Sequence, residues 1–215
     1  SLALDGHTVV FLERPQVADE LSQRGLQLEI AGRENIIPNA MVVGSLAQAL
    51  KLGPFDVAIF ALKSYDTTGA LLSLTPYAEQ LPPILCLQNG VDNEPALEQA
   101  LGLGKVIPGT VTSAVGRRSA GDVILERLRG LGVAAGHPLS PLLVATLAAA
   151  GPNARLYENT ASMKWSKLLT NLVSNASSAI LDEAAPAGLV DRLIERLGGR
   201  LPVVQQTIEP DETAE

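Results

Sequence analysis

Lys167, Asn171 and Asn175 recur at intervals of four within MKWSKLLTNLVSN, residues 163 to 175, a stretch otherwise dominated by apolar side chains. At about 100° per residue these three fall together on a helix, opposite Trp165, Leu168, Leu169, Leu172, Val173 and Ala176. An ordinary solvated face favours Glu, Lys, Gln or Arg, because each interior Asn costs roughly half a kcal/mol of helix propensity against Ala. A lysine brings a cation, and each Asn brings both a donor and an acceptor. Two Asn and one Lys in such a ladder therefore call for an explanation.

Polar residues also end three strand-like runs: Glu13 and Arg14, Lys63 and Ser64, and Gln88, Asn89 and Gly90. In open α/β sheets ligands bind outside the carboxyl ends of the strands, so the shared location raises signals that are individually weak. Arg14 follows the strand at whose end dinucleotide-binding sheets read the adenosine ribose. A carboxylate there accepts from the ribose hydroxyls, whereas an arginine pairs with a 2′-phosphate. Glu13 and Arg14 hold both options, and the residue just past the strand is freer to turn over a pocket, which favours Arg14 and a phosphorylated cofactor. The blander readings are a solvated loop arginine, a first solvent-facing Lys63, and a plain Asn-Gly turn at Asn89. His7 and His137 each sit beside a glycine and read as loop residues. No Ser/His/Asp arrangement and no metal-ligand cluster emerges.

The elements that must carry these residues alternate. HTVVFLER reads as a strand and QVADELSQRG as a helix closed by Gly25. LQLEIAG has a period of two and NIIPNAMVV is a broken extended stretch, so a hairpin-like insertion is expected. SLAQALKLG is a short capped helix. FDVAIFALK and PPILCLQNG are continuous apolar runs, the mark of strands buried on both faces of a parallel sheet. SYDTTGALLSLTPYA and NEPALEQALG are helical, KVIPGTVTSAVG and GDVILE are strands, LSPLLVATLAAAG is a helix, and NARLYENT is a connector. The alternation predicts an α/β fold with a doubly wound, Rossmann-like parallel sheet. From Gly151 onward the alternation stops and helix dominates, so a boundary is expected near Asn153, with residues 1–153 forming the dinucleotide-binding domain and 154–215 the start of an all-helical second domain.

Composition agrees with that class. The 215 residues are 47% hydrophobic but only 3% aromatic, which suits helices packed on a sheet through small side chains. A net charge of −7 with no basic run gives no electrostatic footprint for nucleic acid. Cys86, the single cysteine, excludes an internal disulfide and a CxxC metal site, and its apolar setting reads as a buried, inert thiol. No apolar run reaches membrane-spanning length, and the expected location is cytoplasmic.

With HTVVFLER, FALKSYDT, LQNGVDNE, GDVILE and WSKLLTNLVSN in view, the chain resembles ketopantoate reductases (2-dehydropantoate 2-reductases), NADPH-dependent enzymes of pantothenate and coenzyme A synthesis. The resemblance runs from Ser1 to about Asp182. It implies that Lys167 is the catalytic lysine, that Asn171 and Asn175 line the substrate pocket, and that Asn89 lies beside both nicotinamide and substrate. It further implies an active-site role for Lys63 on the cofactor side, a 2′-phosphate contact for Arg14, NADP(H) as cofactor, a small 2-oxo acid as substrate, and a homodimer formed through the helical domain. Two departures accompany it. SLALDGHTVV reads as the tail of a first helix with no glycine-rich loop before it, and the region after Asp182 reads as shortened. The alternatives are a related 2-oxo acid dehydrogenase and a non-catalytic Rossmann-like remnant serving as a binding module.

Overall fold

A computed structural model describes residues 1–181, and the remainder of the expected helical domain, 182–215, lies outside the described residues. Ser1 to Gly6 form turns, with the Asp5 amide donating to Ser1 O at 3.0 Å, and lead into β1 (Val10–Leu12). Helix α1 (Pro15–Arg24) starts on a proline whose missing N–H costs nothing there, and it ends at Gly25, which has φ 77°. A β-carbon at Gly25 would lie 2.4 Å from Ile37 O, so glycine is required by space as well as by backbone. The expected hairpin is present as β2 (Leu26–Ile30) and β3 (Arg33–Ile37), followed by β4 (Met41–Val43) and α2 (Leu46–Leu50), capped by Ser45.

The remaining elements are β5 (Ala58–Phe60), α3 (Thr67–Leu74), β6 (Ile84–Cys86), α4 (Asn93–Leu101), β7 (Val106–Val111), β8 (Ala114–Ser119) and β9 (Asp122–Arg127). After these come β10 (Leu131–Ala134), α5 (Ser140–Ala149), β11 (Ala154–Tyr157) and α6 (Thr160–Leu181). The central sheet has the order β11-β10-β7-β6-β5, with β5, β6 and β7 parallel, β10 antiparallel to β7, and β11 parallel to β10. Side-chain alternation sends Ile84, Cys86 and Val106 into one apolar cluster with Leu97 and Leu101 of α4, and Leu85 and Ile107 into another with Leu147 of α5. Helices thus cover both faces, giving the α/β, Rossmann-like fold.

Several expectations change. HTVVFLER does not join the central sheet, since β1 pairs in parallel with β4 in a separate two-stranded sheet, and KVIPGTVTSAVG, read as one strand, divides into β7 of the central sheet and β8 of another. FDVAIFALK is not buried on both faces: its strand, β5, is an edge of the five-stranded sheet, and Ile59 is 46% exposed. GDVILE does not join the central sheet. It forms β9 in a second sheet, β3-β2-β9-β8, where β9 runs parallel to β2 and antiparallel to β8. NARLYENT, read as a connector, supplies β11, so the central sheet continues to Tyr157 before the chain turns helical.

Candidate active site

The side of the Lys–Asn helix that packs is fixed by its first turns. Met163 and Lys164 are buried, Lys167, Leu168, Leu169 and Asn171 are partly buried, and Trp165 and Leu172, on the apolar side, are 52% and 53% exposed. At about 100° per residue, Met163, Lys164, Lys167 and Asn171 share an arc of about 100°. That arc is the one turned to the sheet. Asn175 lies on the same helix, and its side chain is outside the described residues.

Glycine permits this seating. On β10, Gly132 faces the side that carries α4, and a β-carbon there would meet Met163 Sδ at 2.9 Å, the Tyr157 ring at 2.9 Å and Thr110 Cγ2 at 3.1 Å. One residue on, Lys164 Nζ donates to Glu94 Oε1 at 2.6 Å, Gln88 O at 2.9 Å and Gly109 O at 3.2 Å. Glu94 belongs to the first turn of α4, Gln88 follows β6, and Gly109 lies in β7. Helix α6 is therefore fastened across the carboxyl-terminal half of β7 and the end of β6.

Gln88 organises the neighbouring loops. Its buried amide nitrogen donates to Leu62 O at 3.0 Å and to Thr67 Oγ1 at 2.9 Å. Lys63 follows Leu62 and Asn89 follows Gln88, so one side chain joins the loops that hold two of the candidate site residues. Gly90 adopts φ 102°, and Asn93 Nδ2 donates to Asn89 O at 2.7 Å, closing the turn while leaving Asn89 exposed. The turn reading and the functional reading of Asn-Gly are thus compatible.

Lys167 sits beyond this clamp. Burial pushes its ammonium below the ordinary lysine value, and the Arg129 guanidinium adds to the effect. Arg129 precedes β10, where its amide and that of Gly130 donate to Ser113 Oγ at 3.1 and 3.0 Å. It stands just past the end of β7. Lys167 has no hydrogen-bond or ion-pair partner among the described residues, in contrast to Lys164.

Arg14 is exposed at the end of β1, with its backbone N–H donating to Glu13 Oε2 at 3.2 Å. Arg14 and Lys63 form no ion pair among the described residues. Exposed cations and an exposed amide at strand ends are a donor set that fits an anionic dinucleotide. Cys86 is buried and its thiol is pushed up to about 12, first by burial and next by the Glu94 charge, which leaves it inert. His137 Nδ1 accepts from the Leu139 amide at 3.1 Å, a local turn contact. Among the described residues no group of His, Cys, Asp or Glu could hold a metal ion, and no helix is long and apolar enough to cross a membrane. A cavity of about 320 Å³ lined by Leu50, Phe55, Leu81 and Pro82 lies at the amino ends of β5 and β6, away from these groups.

Lys164 and Glu94 were absent from the sequence-based candidates. The available signal was weak: a glutamate at the start of a helix just after Asn-Gly, and a lysine three residues before the ladder.

The family model described as "Ketopantoate reductase PanE/ApbA" matches residues 1–135. A 2-dehydropantoate 2-reductase from Mesorhizobium japonicum is 26% identical over 234 aligned positions, covering 96% of this chain and 70% of that protein. The crystal structure of a PanE/ApbA family ketopantoate reductase from Ralstonia eutropha superposes with a TM-score of 0.72 at 27% identity, covering 90% of this chain and 64% of that one. D-mandelate dehydrogenase with NADH and anilino(oxo)acetate shares the fold, with a TM-score of 0.70 at 22% identity over 84% of this chain and 59% of that one.

Proposed function

The chain belongs to the PanE/ApbA ketopantoate reductase family, and from that membership we propose that it reduces 2-dehydropantoate to pantoate with NADPH. The observation that carries the proposal is that Lys167 and Asn171 are partly buried on the helix that Lys164 fastens to Gln88 O and Gly109 O, at the ends of β6 and β7. NADPH, when bound, supplies the hydride.

The chain's own residues do the rest. Reduction of a ketone builds negative charge on its oxygen, and Lys167 Nζ stabilises that charge and delivers the proton. A half-buried ammonium with a lowered pKa is a better acid than a solvated lysine at neutral pH. Asn89, Asn171 and Asn175 bind the carboxylate, ketone and hydroxyl groups of the substrate, and a site built on such bonds discriminates against analogues lacking them. Arg14 pairs with the 2′-phosphate of the cofactor, and Lys63 contributes a second cation on the cofactor side. The reading includes a division of the chain near residue 153, a homodimer formed through the helical part, and a cytoplasmic location.

A second reading, reduction of another 2-oxo acid, is favoured by the likeness to D-mandelate dehydrogenase, since fold does not fix substrate. The test is NADPH oxidation by the purified protein with ketopantoate and with aryl and branched 2-oxo acids. A kcat/KM for ketopantoate at least tenfold above the others supports the first reading, and a preference for an aryl substrate selects the second. No oxidation with any of them removes both.

A further inference from the structure

We propose that Lys164 is a positioning residue of the active site, whose ammonium sets helix α6 against the β6 and β7 ends and so fixes Lys167 relative to Asn89. The proposal rests on the reading of Lys167 and Asn89 as groups that touch the substrate. An ammonium has three N–H donors, and Lys164 Nζ spends one each on Glu94 Oε1 (2.6 Å), Gln88 O (2.9 Å) and Gly109 O (3.2 Å). Only 6% of Lys164 is exposed. With its donors taken and its surface covered, it has nothing to offer a ligand, which separates it from Lys167.

What it does instead follows from where its acceptors lie. Gln88 O is the carbonyl immediately before Asn89, Glu94 opens α4, and Gly109 lies in β7. Lys167 is three residues further along α6, a rise of about 4.5 Å on the same side of the helix. A single nitrogen thereby ties the turn bearing Asn89 to the helix bearing Lys167. Stability alone does not explain the choice, because apolar residues of similar volume in place of a buried ion pair are commonly neutral or stabilising. An apolar pair, however, packs without direction, whereas three bonds at 2.6 to 3.2 Å hold the helix in one register.

The test replaces both charges so that neither is stranded: Lys164→Met with Glu94→Met in the intact protein, beside Glu94→Gln, which keeps volume and an acceptor. We expect both proteins to keep a cooperative urea transition, with kcat lowered roughly 10- to 100-fold, the order of loss a misplacement of about 1 Å produces. KM for NADPH should stay unchanged. On a Lys167→Ala background the same replacements should lower the residual rate no further, because Lys164 acts through Lys167. A parental kcat in the apolar pair would overturn the proposal, as would full additivity with Lys167→Ala. Should the apolar pair fail to fold, Glu94→Gln is judged by the same two rates. If Lys167→Ala itself keeps parental turnover, the catalytic reading has failed. If Lys167→Ala is inactive while the Lys164 and Glu94 variants are not, only the positioning role has.

Discussion

Replacing Gly132 with alanine tests whether the close seating of α6 on β10 is what delivers Lys167 to the sheet. The added carbon would stand 2.9 Å from Met163 Sδ, 2.9 Å from Tyr157 Cε2 and 3.1 Å from Thr110 Cγ2, all tighter than ordinary contact. Overpacking of this kind costs about 1–3 kcal/mol. Gly132 does not have positive φ, so alanine restricts the unfolded chain and returns about 0.4–1 kcal/mol. The two ranges net to a loss of about 0–2.6 kcal/mol, centred on about 1.3 kcal/mol, which at a slope of about 2 kcal/mol per molar lowers the urea midpoint by roughly 0.6 M. The strain is relieved most easily by moving Met163, and Met163 moves α6, so kcat should fall while KM for NADPH holds. In a double-mutant cycle Met163→Ala should cost less beside Gly132→Ala than alone, because the two changes share the same space. A midpoint and a kcat both equal to the parent would refute the seating argument.

Lys167→Ala should lower kcat by about 10²–10⁴ while leaving the fold intact, the range for losing a positioned acid, and steady-state kinetics with matched circular dichroism checks it. Turnover that needs protonated Lys167 should decline as pH rises through a value below the ordinary lysine pKa of 10.5, because burial lowers it; a profile flat to pH 10.5 would count against the assignment. The same shift has a stability consequence with a definite sign. Between its folded value and 10.5 the unfolded chain binds more protons at this site, so the site's contribution to stability rises with pH through that window. Lys167→Met should therefore be more stable than the parent near neutrality, an effect that urea melts at two pH values would show. Arg14→Ala should weaken NADPH about 10- to 100-fold and NADH far less, the loss of one charge-assisted contact, and equal losses by fluorescence titration would remove the 2′-phosphate role. Cys86, with its thiol pushed up to about 12, should resist thiol reagents at pH 8 until the protein is unfolded.

The ladder of Lys167 and Asn171 was legible because helical spacing is a local property. Which side of that helix packs was not, because apolar spacing marks two unlike faces without saying which one meets the sheet, and it is Gly132 and the buried Glu94 that let the side bearing Met163 and Lys164 fit there. Lys164 stayed hidden for the same reason: a lysine reads as solvated until an acid 70 positions away is known to face it. Of the strand-ending clusters, those at Lys63 and at Gln88 to Gly90 share one carboxyl end because β5 and β6 are parallel neighbours, whereas Glu13 and Arg14 end β1, which pairs with β4 in a separate sheet. The edge position of β5 could not be read, since an apolar run has the same composition at a sheet's rim as at its centre. The second sheet depends on pairing Gln27 with Asp122, a register that no local pattern encodes.

That pairing has a topological consequence. The hairpin of β2 and β3 turns at Ala31 and Gly32, both with left-handed backbone and both exposed, where a protease would cut most readily. Cleavage there would not free either piece. β1 on the first piece still pairs with β4 on the second, and β2 on the first still lies along β9 on the second. The two segments are interleaved like the teeth of a closed clasp, so the nicked protein should migrate as one species in native buffer and separate only in denaturant.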